Sequence, residues 1–101
     1  MTTVPYSSSD YLKTDEDIIE YLNAAVEDGD NSVLLLAMRN VAMAKGGIAK
    51  LADITGLNRE SLYKTLSEQG NPHYDTLSLI MRGLGFRFTV TPNSERSSLT
   101  A

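Results

Sequence analysis

Residues 48–66 limit the possible folds of this chain more than any other segment. They read IAKLADITGLNRESLYKTL. Ala52 supplies a small side chain where two short helices can meet, and four residues later Gly56 accepts the left-handed backbone of a tight corner. Asn58 caps the second helix. Four leucines are spaced to lock that helix onto the first: Leu51, Leu57, Leu62 and Leu66. The spacing predicts a helix-turn-helix, although a plain helical hairpin meets the same demands.

Helical patterns also precede this corner. The first helix is expected to start at its cap, Thr14, with acids in its first turn, and to end at Gly29. Its apolar stripe comprises Ile18, Ile19, Leu22, Ala25 and Val26. A second helix over residues 32–45 is apolar nearly all round, so we expect it at the centre of the core, ending at Gly46-Gly47. Core packing is also expected of Met38, Met43 and Met81.

The remaining pattern completes a five-helix domain. Helices are predicted over residues 48–55 and 58–67, and a last one runs from its cap Asp75 to Gly85, with apolar residues at helical spacing (Leu77, Ile80, Met81 and Leu84). Residues 86–91 alternate apolar and polar side chains before Pro92, which predicts a short β-strand. The chain therefore divides into a flexible arm (1–13), an all-α domain with a C-terminal strand (14–91) and a disordered tail (92–101).

Size and composition exclude several classes of protein. A chain of 101 residues fits one domain and leaves few apolar side chains for a deep substrate pocket. Because it has no cysteine, disulfide scaffolds, thiolate zinc sites and thiol nucleophiles are excluded. The longest apolar run, residues 33–38, is far shorter than the ~20 residues of a membrane span. We expect a soluble, cytoplasmic protein without a membrane partner.

No residue cluster predicts catalysis, so we expect neither an enzyme nor a bound cofactor or metal. His73 stands alone in a loop, where a surface or helix-start position is expected. The acids of residues 15–20 lack the glycine and spacing of a calcium loop. A phosphate-binding glycine loop followed by Lys and Ser or Thr is also missing from the sequence.

The second helix of the corner carries the candidate DNA-binding residues. If it enters a major groove, its N-terminal and outward side chains face base edges. Arg59 can make a bidentate contact to guanine, and Tyr63 can contact a thymine methyl or backbone, or simply cover the domain surface. Phosphate contacts are predicted for Lys50, Ser61 and Lys64. With Asn58, the predicted site is therefore Lys50, Asn58, Arg59, Ser61, Tyr63 and Lys64.

The predicted strand indicates a dimer. A single short strand is unstable alone, so residues 86–91 are expected to pair with the same segment of a second subunit or with the arm near residues 4–6. The expected dimer contacts are Phe86, Phe88 and Val90. A two-fold dimer places two reading helices in successive major grooves ~34 Å apart, which predicts a pseudo-palindromic operator.

Charge is divided unevenly along the chain. Residues 1–31 hold eight acids and one base, a net charge of −7, whereas residues 32–101 hold eight bases and five acids, a net charge of +3. The overall charge of −4 argues against indiscriminate coating of nucleic acid. One surface can still bind phosphates while another binds a basic partner, or the charges merely solvate the surface.

Three phrases of the sequence resemble a known family: EYLNAAVEDGD (20–30), TGLNRESLYKTLSEQGNP (55–72) and DTLSLIMRGLGFRFTV (75–90). Over residues 11–90 the chain is similar to the HigA-like antidote (antitoxin) proteins of bacterial type II addiction modules, which have a lambda-repressor-like domain. This family usually places a large apolar residue three positions after Leu62; here Thr65 stands there, and Leu66 is expected to take over its packing.

The resemblance implies an antitoxin that binds a RelE/ParE-like toxin and represses its own operon by sequence-specific DNA binding. Toxins of that type look like small basic proteins, so an acidic first helix can neutralise and occlude one. The implied toxin contacts are Tyr11, Leu12, Asp15, Asp17 and Glu20, and the arm can fold on binding. Three alternatives stay open: the first helix only packs in the domain, the chain is a stand-alone prophage-type repressor, or it is a scaffold that binds no DNA.

Overall fold

The computed structural model describes residues 12–93, which contain five α-helices. They are α1 (Asp15–Asp28), α2 (Asn31–Ala44), α3 (Ile48–Thr55), α4 (Arg59–Thr65) and α5 (Tyr74–Gly83). The all-α prediction is therefore confirmed for this part of the chain. Residues 1–11 and 94–101 lie outside it, and with them most of the predicted arm, the predicted tail and Tyr11.

Thr14 caps the start of α1, as predicted, and Asp17 makes the cap reciprocal. The Asp17 N–H donates to Thr14 Oγ1 at 3.1 Å, and the Thr14 N–H donates to Asp17 Oδ2 at 3.1 Å. Ile18, Leu22 and Ala25 form the buried face of α1. The predicted apolar stripe was too wide, because Ile19 and Val26 lie at its edges, 45% and 51% exposed.

The central helix is α2, which runs antiparallel to α1. The Asn40 Nδ2 donates to Tyr21 Oη at 2.8 Å, and Lys45 Nζ lies 3.9 Å from Asp15 Oδ1, so the end of α2 lies beside the start of α1. Met38 and Val41 are fully buried between the helices. The expected core packing is found for Met38 and Met81 but was wrong for Met43, which is 50% exposed on the outer edge of α2, where Val33 is 36% exposed.

The chain turns sharply after α2. The axes of α2 and α3 differ by 97°, and Gly46-Gly47 stands at the bend as predicted. Within residues 12–93 no single helix has the length and apolar composition to span a membrane, and the α2–α3 pair reaches that length only across this bend.

The last helix, α5, closes the core. Ile80 and Met81 are buried, Leu84 follows them into the core and Leu77 packs against it, which confirms the predicted helical spacing. The predicted cap was displaced, since α5 begins at Tyr74 after His73, and Asp75 lies inside the first turn. His73 makes no side-chain capping bond and is exposed.

The predicted C-terminal strand is absent from residues 86–93. A strand needs a neighbour to accept and donate its backbone hydrogen bonds, and residues 12–93 supply none. Instead the Phe86 N–H donates to Met81 O at 3.1 Å and so extends the end of α5. The alternation itself persists: Phe86 and Phe88 are half-buried against the core, whereas Arg87 and Thr89 are exposed.

Candidate functional site

The corner between α3 and α4 is built around Gly56. Its φ of +82° is left-handed, and its N–H donates to Ala52 O at 2.9 Å, so it ends α3. The Thr55 hydroxyl tightens the corner further, because it donates to Leu51 O at 2.8 Å and accepts the Leu57 N–H at 3.2 Å. The chain therefore turns within residues 56–58, and α4 packs against α3.

The apolar residues predicted to lock α4 are in place. Leu51, Leu62 and Leu66 are 3%, 1% and 0% exposed, and Leu57 is half-buried against the same core. Leu66 takes the packing position left by Thr65, as predicted, since the Thr65 side chain is only half-buried. One whole face of α4 is thus committed to the protein interior, which leaves the opposite face at the surface.

The exposed side chains of α4 and its N-cap, here named the outward face of α4, include five of the six predicted DNA-binding residues. Arg59, Ser61 and Lys64 are exposed, and Tyr63 is 44% exposed. Asn58 is exposed too, but its Oδ1 accepts the Ser61 N–H at 2.8 Å, so this oxygen is occupied by the cap. Arg59 and Tyr63 are four residues apart, which places them on the same side of the helix.

The sixth predicted residue, Lys50, lies apart from the others, in the first turn of α3. Gly47 precedes this helix without a side-chain capping bond, so the first N–H groups of α3 receive no side-chain acceptor there. Lys50 is exposed and lines a depression of about 190 Å³ together with Lys45. A free helix N-terminus with a lysine in its first turn favours a negatively charged ligand.

Sequence reasoning missed Arg39, a residue of α2 that contacts the end of α4. Its Nη1 donates to Leu66 O at 3.4 Å, and its Cζ lies 5.1 Å from the centre of the Tyr63 ring. The two ends of this contact are 27 residues apart, so no local pattern reveals it. The one available signal was an arginine within an otherwise apolar core helix, which must find a polar partner.

The acidic residues of α1 have different surroundings. Asp17 belongs to the cap, where hydrogen bonds from the backbone of Thr14 and then Lys13 lower the pKa of its carboxyl group. Asp15 faces Lys45, and Glu20 is exposed. The prediction of Leu12 as a toxin contact was wrong, because its side chain is buried in the core at 7% exposure and anchors the segment before α1. The predicted acidic face thus remains at the surface, with Leu12 inside.

A groove runs between α1 and the segment after α5, and sequence reasoning did not find it. Its volume is about 360 Å³, and Glu27 and Arg87 contribute charge to its lining. The apolar lining residues are Ile19, Leu22, Val26, Met81, Phe86 and Phe88. The sequence carried one signal of this groove, because the apolar stripe of α1 is wider than a single neighbouring helix covers.

The wall of this groove formed by residues 86–88 is held by two side-chain contacts. Lys45 Nζ lies 5.3 Å from the centre of the Phe86 ring, and the Tyr74 and Phe88 ring centres are 6.2 Å apart with planes tilted by 44°.

In residues 12–93, no three histidine, aspartate or glutamate side chains are grouped to hold a metal ion.

Comparison with known proteins adds three findings. A family described as "Probable addiction module antidote protein" matches residues 2–92 of the chain. The chain is 32% identical over 85 residues to an uncharacterized protein of Haemophilus influenzae (strain ATCC 51907 / DSM 11121 / KW20 / Rd), a match that covers 84% of this chain and 87% of the relative. No solved structure matches the chain significantly.

Proposed function

Because the chain belongs to the family of probable addiction module antidote proteins, we propose that it is an antitoxin that neutralises a partner toxin and represses its own operon. The single observation that carries the DNA-binding part is the exposed outward face of α4, presented by a tight glycine corner at Gly56. On this proposal the domain is a lambda-repressor-like helix-turn-helix of the HigA-like kind, and α4 is its recognition helix.

The residues of α4 divide into two roles in the proposal. Arg59, at the start of the helix, reads a base edge, because its guanidinium can bond both acceptors of a guanine. Tyr63 continues the same side of the helix toward a thymine methyl or the sugar-phosphate backbone. Since Asn58 Oδ1 is occupied by the Ser61 N–H, Asn58 acts through its amide nitrogen.

Phosphate contacts fix the register of the complex. Lys64 lies in the last turn of α4, and Ser61 offers a hydroxyl beside the cap. Lys50 and the uncapped start of α3 bind a second phosphate, which the positive end of the helix dipole favours. These contacts supply affinity without sequence preference, whereas Arg59 supplies discrimination.

We further propose that the chain acts as a homodimer on a pseudo-palindromic operator, joined through Phe86, Phe88 and Val90. Val90 supports this because it is 97% exposed, the highest value among the large apolar side chains of residues 12–93. Covering such a side chain with a second copy removes apolar area from water. Two copies related by a two-fold axis then present two α4 helices to successive major grooves.

The proposed toxin surface combines the acidic face of α1 with the wall that α1 contributes to the groove, and leaves Phe86 and Phe88 on the opposite wall to the dimer contact. Asp15, Asp17 and Glu20 supply negative charge toward a basic toxin of the RelE/ParE-like kind. Ile19 and Val26 are half exposed and line the groove, so they offer the apolar contact that charge alone does not give. Tyr11, another of the predicted toxin contacts, lies outside the described residues.

The DNA-binding proposal is tested by gel retardation with the promoter upstream of the gene. We expect retardation by the wild-type protein and a clear loss for Arg59→Ala. Arg82→Ala is the matched control, because it removes the same charge from an exposed position on α5. Absence of retardation at low salt, or equal binding by Arg59→Ala, would contradict the proposal.

Toxin neutralisation is tested by co-expression with the product of the adjacent gene, followed by size-exclusion chromatography. We expect a stable complex that Val26→Asp weakens by at least tenfold, since a buried carboxylate without a partner costs well over ~1.4 kcal/mol. Val33→Asp places the same charge on the exposed edge of α2 and serves as the control. Absence of any complex would favour a stand-alone repressor instead.

A further inference from the structure

We propose that Arg39, which lies on α2 and outside the DNA-reading helix, is a positioning residue that fixes the last turn of α4 and the ring of Tyr63 for operator binding. This inference rests on the proposed DNA-binding function. It concerns a residue that is not among the proposed DNA contacts. The juxtaposition that carries it is one guanidinium placed between the end of α4 and an outward aromatic ring.

Arg39 stabilises the end of α4 in two ways. The last carbonyls of a helix have no donor within the helix, and Arg39 Nη1 donates to the C-cap carbonyl, Leu66 O, at 3.4 Å. A cation at this end also complements the negative pole of the helix dipole. With the Leu66 side chain fully buried, backbone and side chain are both held at this residue.

The same guanidinium holds the Tyr63 ring. Its Cζ lies 5.1 Å from the ring centre, within the range of a cation–π contact. Tyr63 is 44% exposed, so one side of the ring remains free. Since Tyr63 stands four residues after Arg59, a ring held by Arg39 continues the surface that Arg59 begins.

The support from Arg39 matters because α4 is a short helix. The seven residues of α4 are far fewer than an isolated helix needs to be stable in water. Its start is held by Gly56 and the Asn58 cap, and its end by Leu66, by Arg39 and by the Ser67 hydroxyl, which donates to Lys64 O at 2.7 Å. Loss of Arg39 therefore frees the Tyr63 ring and the C-cap carbonyl, whereas the start of α4, with Arg59, stays in place and the long side chain of Lys64 still reaches a phosphate.

Positioning and direct phosphate contact give different salt dependences. A residue that contacts phosphate releases a counterion from the DNA. Its loss therefore reduces the magnitude of the negative slope of log K against log salt by about 0.9. A residue that only positions α4 lowers operator affinity and leaves this slope unchanged. The geometry favours positioning, because the guanidinium is already engaged by Leu66 O and the Tyr63 ring.

The test measures binding of operator and of unrelated duplex DNA at several salt concentrations, by fluorescence anisotropy, for wild type, Arg39→Met, Tyr63→Leu and the double variant. We expect Arg39→Met to lose about tenfold in operator affinity, the equivalent of one cation–π contact and one hydrogen bond. Binding to unrelated DNA and the salt slope should stay as in wild type. The double variant should lose less than the product of the two single losses, because both remove the same contact.

Circular dichroism shows whether each variant is folded at the binding temperature, and Arg82→Ala again controls for a lost surface charge. Wild-type operator affinity in Arg39→Met, or a slope lowered by about 0.9, would overturn the positioning role. A loss of operator affinity in the double variant equal to the product of the two single losses would also overturn it, because the two residues would then act independently. Failure of the wild-type protein to bind any DNA would refute the proposed function itself, and the role of Arg39 with it.

Discussion

Single residues hold α4 at both ends, and they differ in how far sequence could reveal them. The Asn58 cap reaches a residue three positions away, so its local pattern predicts it. Gly56 is equally local, because a left-handed corner there favours glycine. Arg39 reaches across 27 residues, and only the folded chain brings it to Leu66. Sequence therefore predicted the start of the candidate site and missed the support at its end.

Gly70 is a second residue whose role sequence did not show. A Cβ there would lie 1.9 Å from Thr65 O and 3.2 Å from Leu35 Cδ1, so any larger residue must move the backbone at the end of α4. We expect Gly70→Ala to lower the free energy of unfolding by about 2–3 kcal/mol, the usual cost of overpacking. Urea denaturation followed by circular dichroism measures this loss.

Gly29→Ala provides the matched control for that substitution. Gly29 has a φ of +86° but open space around its Cβ position, so alanine there suffers backbone strain alone, about 1 kcal/mol. A loss at Gly70→Ala no larger than at Gly29→Ala would show that the crowding against Thr65 relaxes without cost.

Helices were predicted well and the C-terminal segment was not. Caps and glycines marked the starts and ends of α1 and α3, because both signals act within a few residues. Alternation over residues 86–89 correctly indicated which side chains face the core. It did not establish a strand, since a strand depends on a neighbour that residues 12–93 do not provide. The groove between this segment and α1 depended on that packing, so it too escaped prediction.

The cap of α1 makes its first turn sensitive to acid. Hydrogen bonds lower the pKa of Asp17 in the folded chain, so its stabilising effect is complete above the ordinary carboxyl pKa and is lost as pH falls through the lowered value. We expect the difference in melting temperature between wild type and Asp17→Asn to be largest near neutral pH and to shrink at acid pH below ~4. A difference that is constant from neutral to acid pH would contradict this role of the cap.

The whole molecule divides its charge between two surfaces. The acidic face belongs to α1, and the cations proposed for DNA lie on α3 and α4. On the proposed function, one small domain approaches phosphates with α3 and α4 and a basic toxin with α1. The two regions meet at one point, because Lys45, which lines the depression beside Lys50, lies 3.9 Å from Asp15 Oδ1.

Assembly is the property of the whole molecule that one substitution can test. We expect Val90→Asp to convert the proposed dimer to a monomer and to weaken operator binding, because a monomer loses the second half-site. Met43→Asp adds the same charge at another half-exposed apolar side chain and should leave the dimer intact. Light scattering after size-exclusion chromatography measures both. A monomeric wild type, or an unchanged dimer in Val90→Asp, would contradict the proposed contact.

The central claim is that the outward face of α4 reads the operator. The most direct test measures the affinities of Arg59→Ala and Lys64→Ala for operator and for unrelated duplex DNA. We expect Arg59→Ala to reduce the difference in binding free energy between operator and unrelated duplex by ~1–3 kcal/mol, which lowers the ratio of the two affinities. Lys64→Ala should weaken both affinities alike and lower the salt slope by about 0.9. An unchanged affinity ratio in Arg59→Ala, with operator binding intact, would show that another surface of the protein reads the operator.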